Sequence, residues 1–126
     1  MVESLVDPRI LGVNNRYRTN AVTPKDVRAE QLQLALDVSG AVRDQGFVPG
    51  KCHRAFLVFT VPNRRSDLDG PIKRVLDAIQ DGIRMAGYRD FNDNSFEDIH
   101  IYRKKGEPQV SVRVVTLPEG QCFGSS

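Results

Sequence analysis

Two stretches of the chain repeat apolar residues at the spacing of an α-helix. The first opens with Thr23–Pro24 followed by Asp26, an arrangement that caps helix N-termini, and it reaches Gly46. The second runs from Pro71 to Gly87, which is the expected stop signal. Its apolar stripe is nearly unbroken and consists of Ile72, Val75, Leu76, Ile79, Ile83 and Ala86. The pattern therefore predicts one amphipathic helix from Pro24 to Gly46 and another from Pro71.

Four shorter stretches have the patterns of β-strands. Ala55–Val61 is an almost continuous apolar run, which predicts a central strand buried on both faces. Asp98–Tyr102 and Val110–Val114 alternate apolar with polar residues, and Lys105–Glu107 between them predicts a hairpin turn. Leu5–Leu11 predicts a short edge strand that Pro8 interrupts.

The resulting order of elements is β-α-β-α-β-β. This order predicts an α+β fold with a mixed sheet of about four strands and two helices. We expect a single domain over residues 1–117, a polar and turn-prone stretch over residues 12–18, and a flexible C-terminal tail over residues 118–126.

Composition narrows the class of protein. The 126 residues are 40% hydrophobic and 27% charged, which excludes a disordered, coiled-coil or disulfide-scaffold chain. No apolar run approaches the roughly 18 residues that a membrane span needs, so no membrane partner is expected. Cys52 and Cys122 lack the spacing of a metal site, and we expect them to be free thiols in a reducing cytoplasm. The net charge of +2 is too small to indicate a nucleic-acid partner by itself.

The residues with the clearest chemistry lie between the central strand and the second helix. Asp67 and Asp69 are two positions apart, so in an extended segment both carboxylates point the same way and can meet one hard cation such as Mg²⁺. A third carboxylate would come from the loop after the second helix, where Asp93 is preferred and Asp90 and Asp98 are the alternatives.

Each of these features also has an ordinary structural interpretation. The Asp67–Gly70 segment is compatible with a plain loop that caps a helix, and Arg64–Arg65 with a solvated surface. Asn14–Asn15 is compatible with a turn, and Lys73, four residues after Asp69, with an ordinary helix-surface lysine. Each feature alone is therefore weak evidence for a functional site, and only their combination is specific.

In combination, the residues resemble the RusA-type Holliday-junction resolvases from Asn14 to about Lys104. The family's Asn-Asn-Arg-Tyr-like segment corresponds here to Asn14, Asn15, Arg16 and Tyr17. Its Pro-x-Arg-Arg approach to an Asp-Leu-Asp motif corresponds to Pro62–Asp69, and its following lysine and aspartate correspond to Lys73 and Asp77. Two residues depart from the family pattern: Gly70 replaces an Asn that is common there, and Asn92 replaces the first member of an acidic pair.

The resemblance implies a Mg²⁺-dependent endonuclease, with Mn²⁺ as a possible substitute, that acts as a homodimer on branched DNA. It implies that Asp67, Asp69 and Asp93 hold the metal and that Lys73 assists catalysis. We expect phosphate contacts from Arg16, Arg64, Arg65, Lys104 and Lys105, a stacking or sugar contact from Tyr17, and further DNA contacts from Asn14 and Asn15 of the same segment. The alternatives are a non-catalytic protein that binds branched DNA and a metal-dependent phosphodiesterase that acts on a small substrate.

Overall fold

Four strands and two α-helices follow one another in the predicted order, which confirms the α+β class. The computed structural model describes residues 7–16, 23–63 and 68–123, with the backbone alone at Asp69. The elements are β1 (Ile10–Asn15), α1 (Pro24–Gln45), β2 (His53–Val61), α2 (Asp69–Met85), β3 (Phe96–Lys105) and β4 (Gln109–Thr116). Two short 3₁₀ helices, Asp93–Ser95 and Glu119–Gln121, precede β3 and follow β4.

The strands lie in the order β1-β4-β2-β3, which makes a mixed sheet. β2 and β3 are parallel, with α2 as the crossover between them, whereas β4 is antiparallel to both β1 and β2. The predicted hairpin between β3 and β4 is therefore wrong, because β2 lies between these two strands. Alternation of apolar and polar residues indicates that a segment is a strand, but it does not indicate which other strand pairs with it.

The turn between β3 and β4 crosses over the end of β2. Gly106 donates its N–H to the carbonyl oxygen of Val61 at 3.0 Å, which holds the turn against the last residue of β2. Gly106 has φ +157°, and a Cβ there would lie 2.9 Å from Cγ2 of Thr60. A residue without a side chain is needed at this crossing because the turn runs so close to the strand beneath it.

Both helices cover the same face of the sheet. Alternate residues of β2, such as Leu57 and Phe59, share one buried cluster with Val38 of α1 and Ile79 of α2. On the opposite face of β2, Arg54, Phe56 and Val58 are only partly buried. The prediction that this strand is buried on both faces is therefore wrong, and we call this second side the open face.

The two helices differ in how far their ends could be predicted. α1 begins and ends where expected: Oγ1 of Thr23 accepts from the N–H of Asp26 at 3.1 Å, and Gly46 is left-handed at φ +66°. α2 begins at Asp69, two residues before the predicted start at Pro71. Proline is tolerated anywhere within the first turn of a helix. Pro71 therefore indicates that the first turn lies here, but it does not indicate at which residue the helix begins.

β1 runs further than the sequence suggested. Leu11 and Val13 are buried while Gly12 and Asn14 are exposed, which is the alternation of a strand with one covered face. The polar stretch predicted as a turn over residues 12–18 therefore begins as strand through Asn15. The first part of the predicted strand, Leu5–Val6, lies outside the described residues.

The two cysteines form a disulfide, which corrects the expectation of free thiols. Cys52 and Cys122 have Cα atoms 5.6 Å apart, and they join the start of β2 to the C-terminal segment. Residues 118–123, expected to be a flexible tail, include the 3₁₀ turn Glu119–Gln121 and are tied to the sheet by this bond. None of the helices in the described ranges has both the length and the apolar character needed to cross a bilayer.

Candidate functional site

Three of the four strands end at the same edge of the sheet, which we call the carboxyl edge. β3 is parallel to β2, and β1 points the same way because both β1 and β2 are antiparallel to β4. Asn15, Val61 and Lys105 are the last residues of their strands and therefore lie at this edge. In open sheets with parallel strands, ligand sites are commonly built at such an edge.

The acidic segment between β2 and α2 leaves and re-enters the fold at the carboxyl edge. Pro62 and Asn63 follow β2 and are exposed, whereas Leu68 is only 7% exposed and belongs to the hydrophobic core. Asp69 is the first residue of α2. The predicted residues Arg64, Arg65 and Asp67 lie outside the described residues. The buried Leu68 therefore fixes the chain at the point where it enters α2, and in the sequence it lies between two of the three predicted metal ligands, Asp67 and Asp69.

A groove of about 540 Å³ lies at the carboxyl edge beside this segment. Its floor is apolar and its rim is basic, and it is lined by Val61, Asn63, Leu68, Ile101, Arg103, Lys104 and Lys105. Lys104 and Lys105 were predicted to contact DNA, and both line the groove. Arg103 also lines it and was missed, although the run of three basic residues that ends β3 is visible in the sequence.

The predicted DNA-binding residues of the N-terminal segment also reach the carboxyl edge, three strands away from β3. Asn15 donates from Nδ2 to Oδ2 of Asp37 in α1, and Oδ1 of Asn14 accepts from the hydroxyl of Ser111 at 2.6 Å. Both amides therefore join elements of the fold to one another. Arg16 is exposed, while Tyr17 lies outside the described residues. At about 4.8 Å per strand, Asn15 lies about 14 Å across the sheet from Lys105.

Asp93, the predicted third metal ligand, lies away from the start of α2. Its backbone N–H donates to Oε1 of Gln80 at 2.9 Å, and Gln80 lies eleven residues beyond Asp69 in α2. That separation is about 16 Å along the helix axis at 1.5 Å per residue. Mg²⁺ requires ligand oxygens at about 2.0–2.1 Å, so one chain does not bring Asp93 and Asp69 to one ion.

The turn that carries Asp93 is held by a buried histidine that the sequence analysis missed. Nε2 of His53 accepts from the N–H of Gly50 at 3.0 Å, and its Nδ1 lies 2.8 Å from the hydroxyl of Ser95. Because Nε2 accepts, the single proton of the neutral ring is on Nδ1 and is donated to Ser95. Burial lowers the pKa of His53 to about 4. A neutral His53 therefore joins the start of β2 to the turn Asp93–Ser95, at the edge opposite the carboxyl edge.

The two alternative third carboxylates also lie away from the acidic segment. Asp98 accepts from Nε of Arg54 at 2.7 Å on the open face, and this hydrogen bond lowers the pKa of Asp98. Asp90 is exposed in the loop that follows α2. Lys73 is exposed on α2, one turn after Asp69. Within residues 7–16, 23–63 and 68–123, no three His, Cys, Asp or Glu side chains cluster in a way that suits a metal ion.

Two aspartates of the segment between β2 and α2 have the donor chemistry that suits a hard cation. Asp67 and Asp69 supply oxygen ligands only, which is the donor chemistry that Mg²⁺ and Mn²⁺ prefer over softer nitrogen and sulfur sites. The chain matches no known protein-family model, and no protein of curated function is similar to it in sequence. What this site does is therefore inferred from its residues and their positions.

Proposed function

We propose that this protein is a Mg²⁺-dependent endonuclease that resolves four-way DNA junctions by paired nicks. One observation carries the proposal. At the carboxyl edge, the place where an Asp-Leu-Asp segment enters α2 lies beside a groove with a basic rim. An enzyme that hydrolyses a phosphodiester with a metal needs ligands for the cation close to the place where the phosphate binds, and basic side chains can supply the phosphate contacts.

Each residue of the site has a distinct role in this proposal. Asp67 and Asp69 hold the ion in this proposal, whereas Asp93 lies too far from Asp69 within one chain to bind the same ion. Held by these carboxylates, Mg²⁺ would supply Lewis-acid chemistry, namely activation of a water molecule and neutralisation of negative charge on the phosphate. Lys73, one turn into α2, offsets negative charge on the phosphate or on the leaving oxygen. Mn²⁺ would satisfy the same oxygen ligands.

Basic residues at the carboxyl edge bind the sugar–phosphate backbone in this proposal. Lys104, Lys105 and Arg103 line the groove, and Arg16 is exposed at the end of β1. Arg64, Arg65 and Tyr17, together with Asn14 and Asn15, complete the set expected from the sequence. Such contacts strengthen binding without reading the base sequence.

Salt dependence tests the basic contacts. The logarithm of the affinity for DNA should fall against the logarithm of the salt concentration with a slope near −0.9 per phosphate contact. Lys104→Ala and Arg16→Ala should each make that slope shallower by about one unit, equally for different junction sequences. A wild-type slope near zero would contradict DNA binding at this edge.

The nicking assay tests the enzyme itself. Wild type should nick a synthetic four-way junction with Mg²⁺ or Mn²⁺ and leave it intact in EDTA, and linear duplex should be a poor substrate. Asp69→Asn should abolish nicking yet keep junction binding, because the metal ligand is lost while the basic rim remains. Asp81→Asn is the matched control, since Asp81 is an exposed aspartate of α2 away from the carboxyl edge and should leave activity unchanged.

The same assay separates the two alternatives. Metal-independent binding of junctions without cleavage by the wild type would favour a non-catalytic protein that binds branched DNA. Inhibition by free nucleotides and none by junction DNA would favour a phosphodiesterase for small substrates.

We also propose that the protein works in the cytoplasm of a bacterial or phage-infected cell, because its DNA substrate is found there. In that compartment glutathione and thioredoxin would reduce the Cys52–Cys122 disulfide of the structure, so this location predicts a reduced pair in the cell. Alkylation of thiols in intact cells, followed by mass spectrometry, measures the redox state of this pair. A fully oxidised pair in every sample would contradict the cytoplasmic location.

A further inference from the structure

The open face of the sheet carries aromatic rings on two neighbouring strands. The pairing of β2 with β3 places Phe56 opposite His100 and Val58 opposite Tyr102. The rings of Phe56 and His100 stack, with their centroids 4.9 Å apart and their planes 19° from parallel. Tyr102 is 53% exposed, and both described α-helices pack against the other face of the sheet. The open face therefore presents ring surfaces that a planar ligand can reach.

A cavity of about 250 Å³ opens between β2 and β4 beside the stacked pair. Phe56 and Val58 form its apolar lining, and Ser111 and Arg113 form its polar lining. Because β2 lies between β3 and β4, the side of the Phe56 ring turned away from His100 is turned towards Arg113, its partner across the strands. Sites for drug-sized ligands measure about 300–1,000 Å³, so this smaller cavity suits a single planar ring system with polar edges.

The open face is basic around these rings. Among the described strands, alternation places three basic side chains on it, Arg54, Lys104 and Arg113, and one acidic side chain, Asp98. Asp98 accepts from Nε of Arg54 at 2.7 Å, so its negative charge is offset within the face. The face thus combines positive charge with ring surfaces. A ligand that matches both carries planar rings on a negatively charged backbone, which is the chemistry of a nucleic-acid strand.

We infer that the open face binds single-stranded DNA, with one base stacked on Phe56 in the cavity and a neighbouring base on Tyr102. Tyr102 follows His100 by two strand residues, a distance of about 6.6 Å, which is about twice the rise per nucleotide in a duplex strand. Rings at this spacing meet the bases of an extended strand. Stacking on aromatic side chains needs bases whose faces are uncovered, and it tolerates any base sequence.

The choice of DNA for this strand rests on the proposed function. Lys104 is the last residue of β3 on the open face, and it also lines the groove at the carboxyl edge. A strand that leaves the groove can therefore continue onto the open face past Lys104. Stacking needs neither Mg²⁺ nor cleavage, so binding at the open face can be measured without any nuclease activity.

Binding of labelled oligothymidylate, followed by fluorescence anisotropy in EDTA, tests the stacked bases. Tyr102→Ala and Phe56→Ala should each weaken binding by about 5- to 150-fold, the loss expected for one stacked base, and should leave the affinity for linear duplex unchanged. Tyr88→Ala is the matched control, because Tyr88 is an exposed tyrosine in the loop after α2. Tyr102 is largely exposed, so its variant decides the matter even if Phe56→Ala fails to fold. Wild-type affinity in Tyr102→Ala, or an equal loss in Tyr88→Ala, would overturn the proposal.

Salt titration of the same complexes tests the basic contact. Arg113→Ala should make the slope of log affinity against log salt shallower by about 0.7, the value for one phosphate contact of a single strand. The loss in Tyr102→Ala should be equal at low and high salt, because stacking releases no condensed counterions. Arg28→Ala is the matched control, since Arg28 is exposed on α1 at the other face of the sheet. An unchanged slope in Arg113→Ala would overturn the placement of the strand across β4.

Photo-cross-linking locates the bound strand directly. An oligonucleotide that contains bromodeoxyuridine should attach to peptides of β2 or β3 at Phe56 or Tyr102, as identified by mass spectrometry. Cross-links confined to α1 or α2 would overturn the proposal.

The remaining outcomes concern other occupants of the open face and the proposed function. Tighter binding of oligouridylate RNA than of oligothymidylate would overturn the choice of DNA. A wild type that binds neither oligonucleotide, and whose dimer dissociates in Tyr102→Ala, would overturn the proposal and assign the face to a second copy of the chain. A wild type that binds oligothymidylate through Tyr102 yet nicks no junction would refute the proposed function and support this second site.

Discussion

Acid should destabilise this protein through His53, starting as the pH falls below about 6.5. The ring is fully buried, its Nε2 accepts from the N–H of Gly50, and burial lowers its pKa to about 4, against about 6.5 in an unfolded chain. Between these two pKa values the unfolded chain binds a proton at His53 and the folded chain does not. The contribution of the neutral ring to the free energy of unfolding is therefore fully present above pH 6.5 and is lost as the pH is lowered towards 4. The linkage relation gives a loss of about 2 kcal/mol between pH 7 and pH 5.

Urea unfolding at half-unit steps from pH 7.5 to pH 4.5 measures this loss. His53→Gln has no titrating ring and should be less stable at pH 7, with a flat dependence over the same range. His100→Gln is the matched control, because His100 stacks on Phe56 on the open face and is partly exposed, and this variant should keep the wild-type slope. A wild-type stability that is constant from pH 7 to pH 5, or an equal slope in His53→Gln, would refute the reasoning.

Three further predictions concern the helix interface, the catalytic lysine and the disulfide. A Cβ at Gly82 would lie 2.5 Å from the carbonyl oxygen of Ala35, so Gly82→Ala should lower the free energy of unfolding by about 1–3 kcal/mol. The control Gly40→Ala has no atom within 4 Å and should be neutral or stabilising in the same thermal melts. Lys73→Ala should slow junction nicking by about 10²–10³-fold with an unchanged melting temperature, and a lower melting temperature with normal nicking would contradict its role. Reduction of the disulfide Cys52–Cys122, which closes a loop of 70 residues, should lower the free energy of unfolding by about 4 kcal/mol, and equal urea midpoints with and without dithiothreitol would contradict this.

Local signals in the sequence predicted local features of the fold. The cap at Thr23 and the left-handed Gly46 depend only on neighbouring residues, and both ends of α1 were therefore correct. The apolar residues of α2 recur at helical spacing, which is also a local pattern, and the second helix was therefore predicted as well. Segment type and order follow from such patterns, and the α+β class followed from the order.

Features that depend on distant residues could not be predicted in this way. Nothing within β3 or β4 indicates that β2 lies between them, so the expected hairpin was wrong. Cys52 and Cys122 are 70 residues apart, and only the folded chain brings them together. For the site, the basic end of β3 was evident from its charges. The separation of Asp93 from Asp69 was not, because it depends on the length of α2 and the direction of β3.

The position of β4 has a consequence for the way the chain folds. Among the described strands, β1 is joined to the sheet only through β4, although β1 is the first of them in the chain and β4 is the last. During synthesis, β1 therefore emerges from the ribosome long before the strand that will hold it, and α1 is the earlier element that packs against it. Pairings between such distant segments slow folding, since a long loop must close before they form. We expect a chain that lacks β4 to expose the edges of β1 and β2 that β4 would pair with. During synthesis, the growing chain should depend on chaperones until β4 pairs between these two strands.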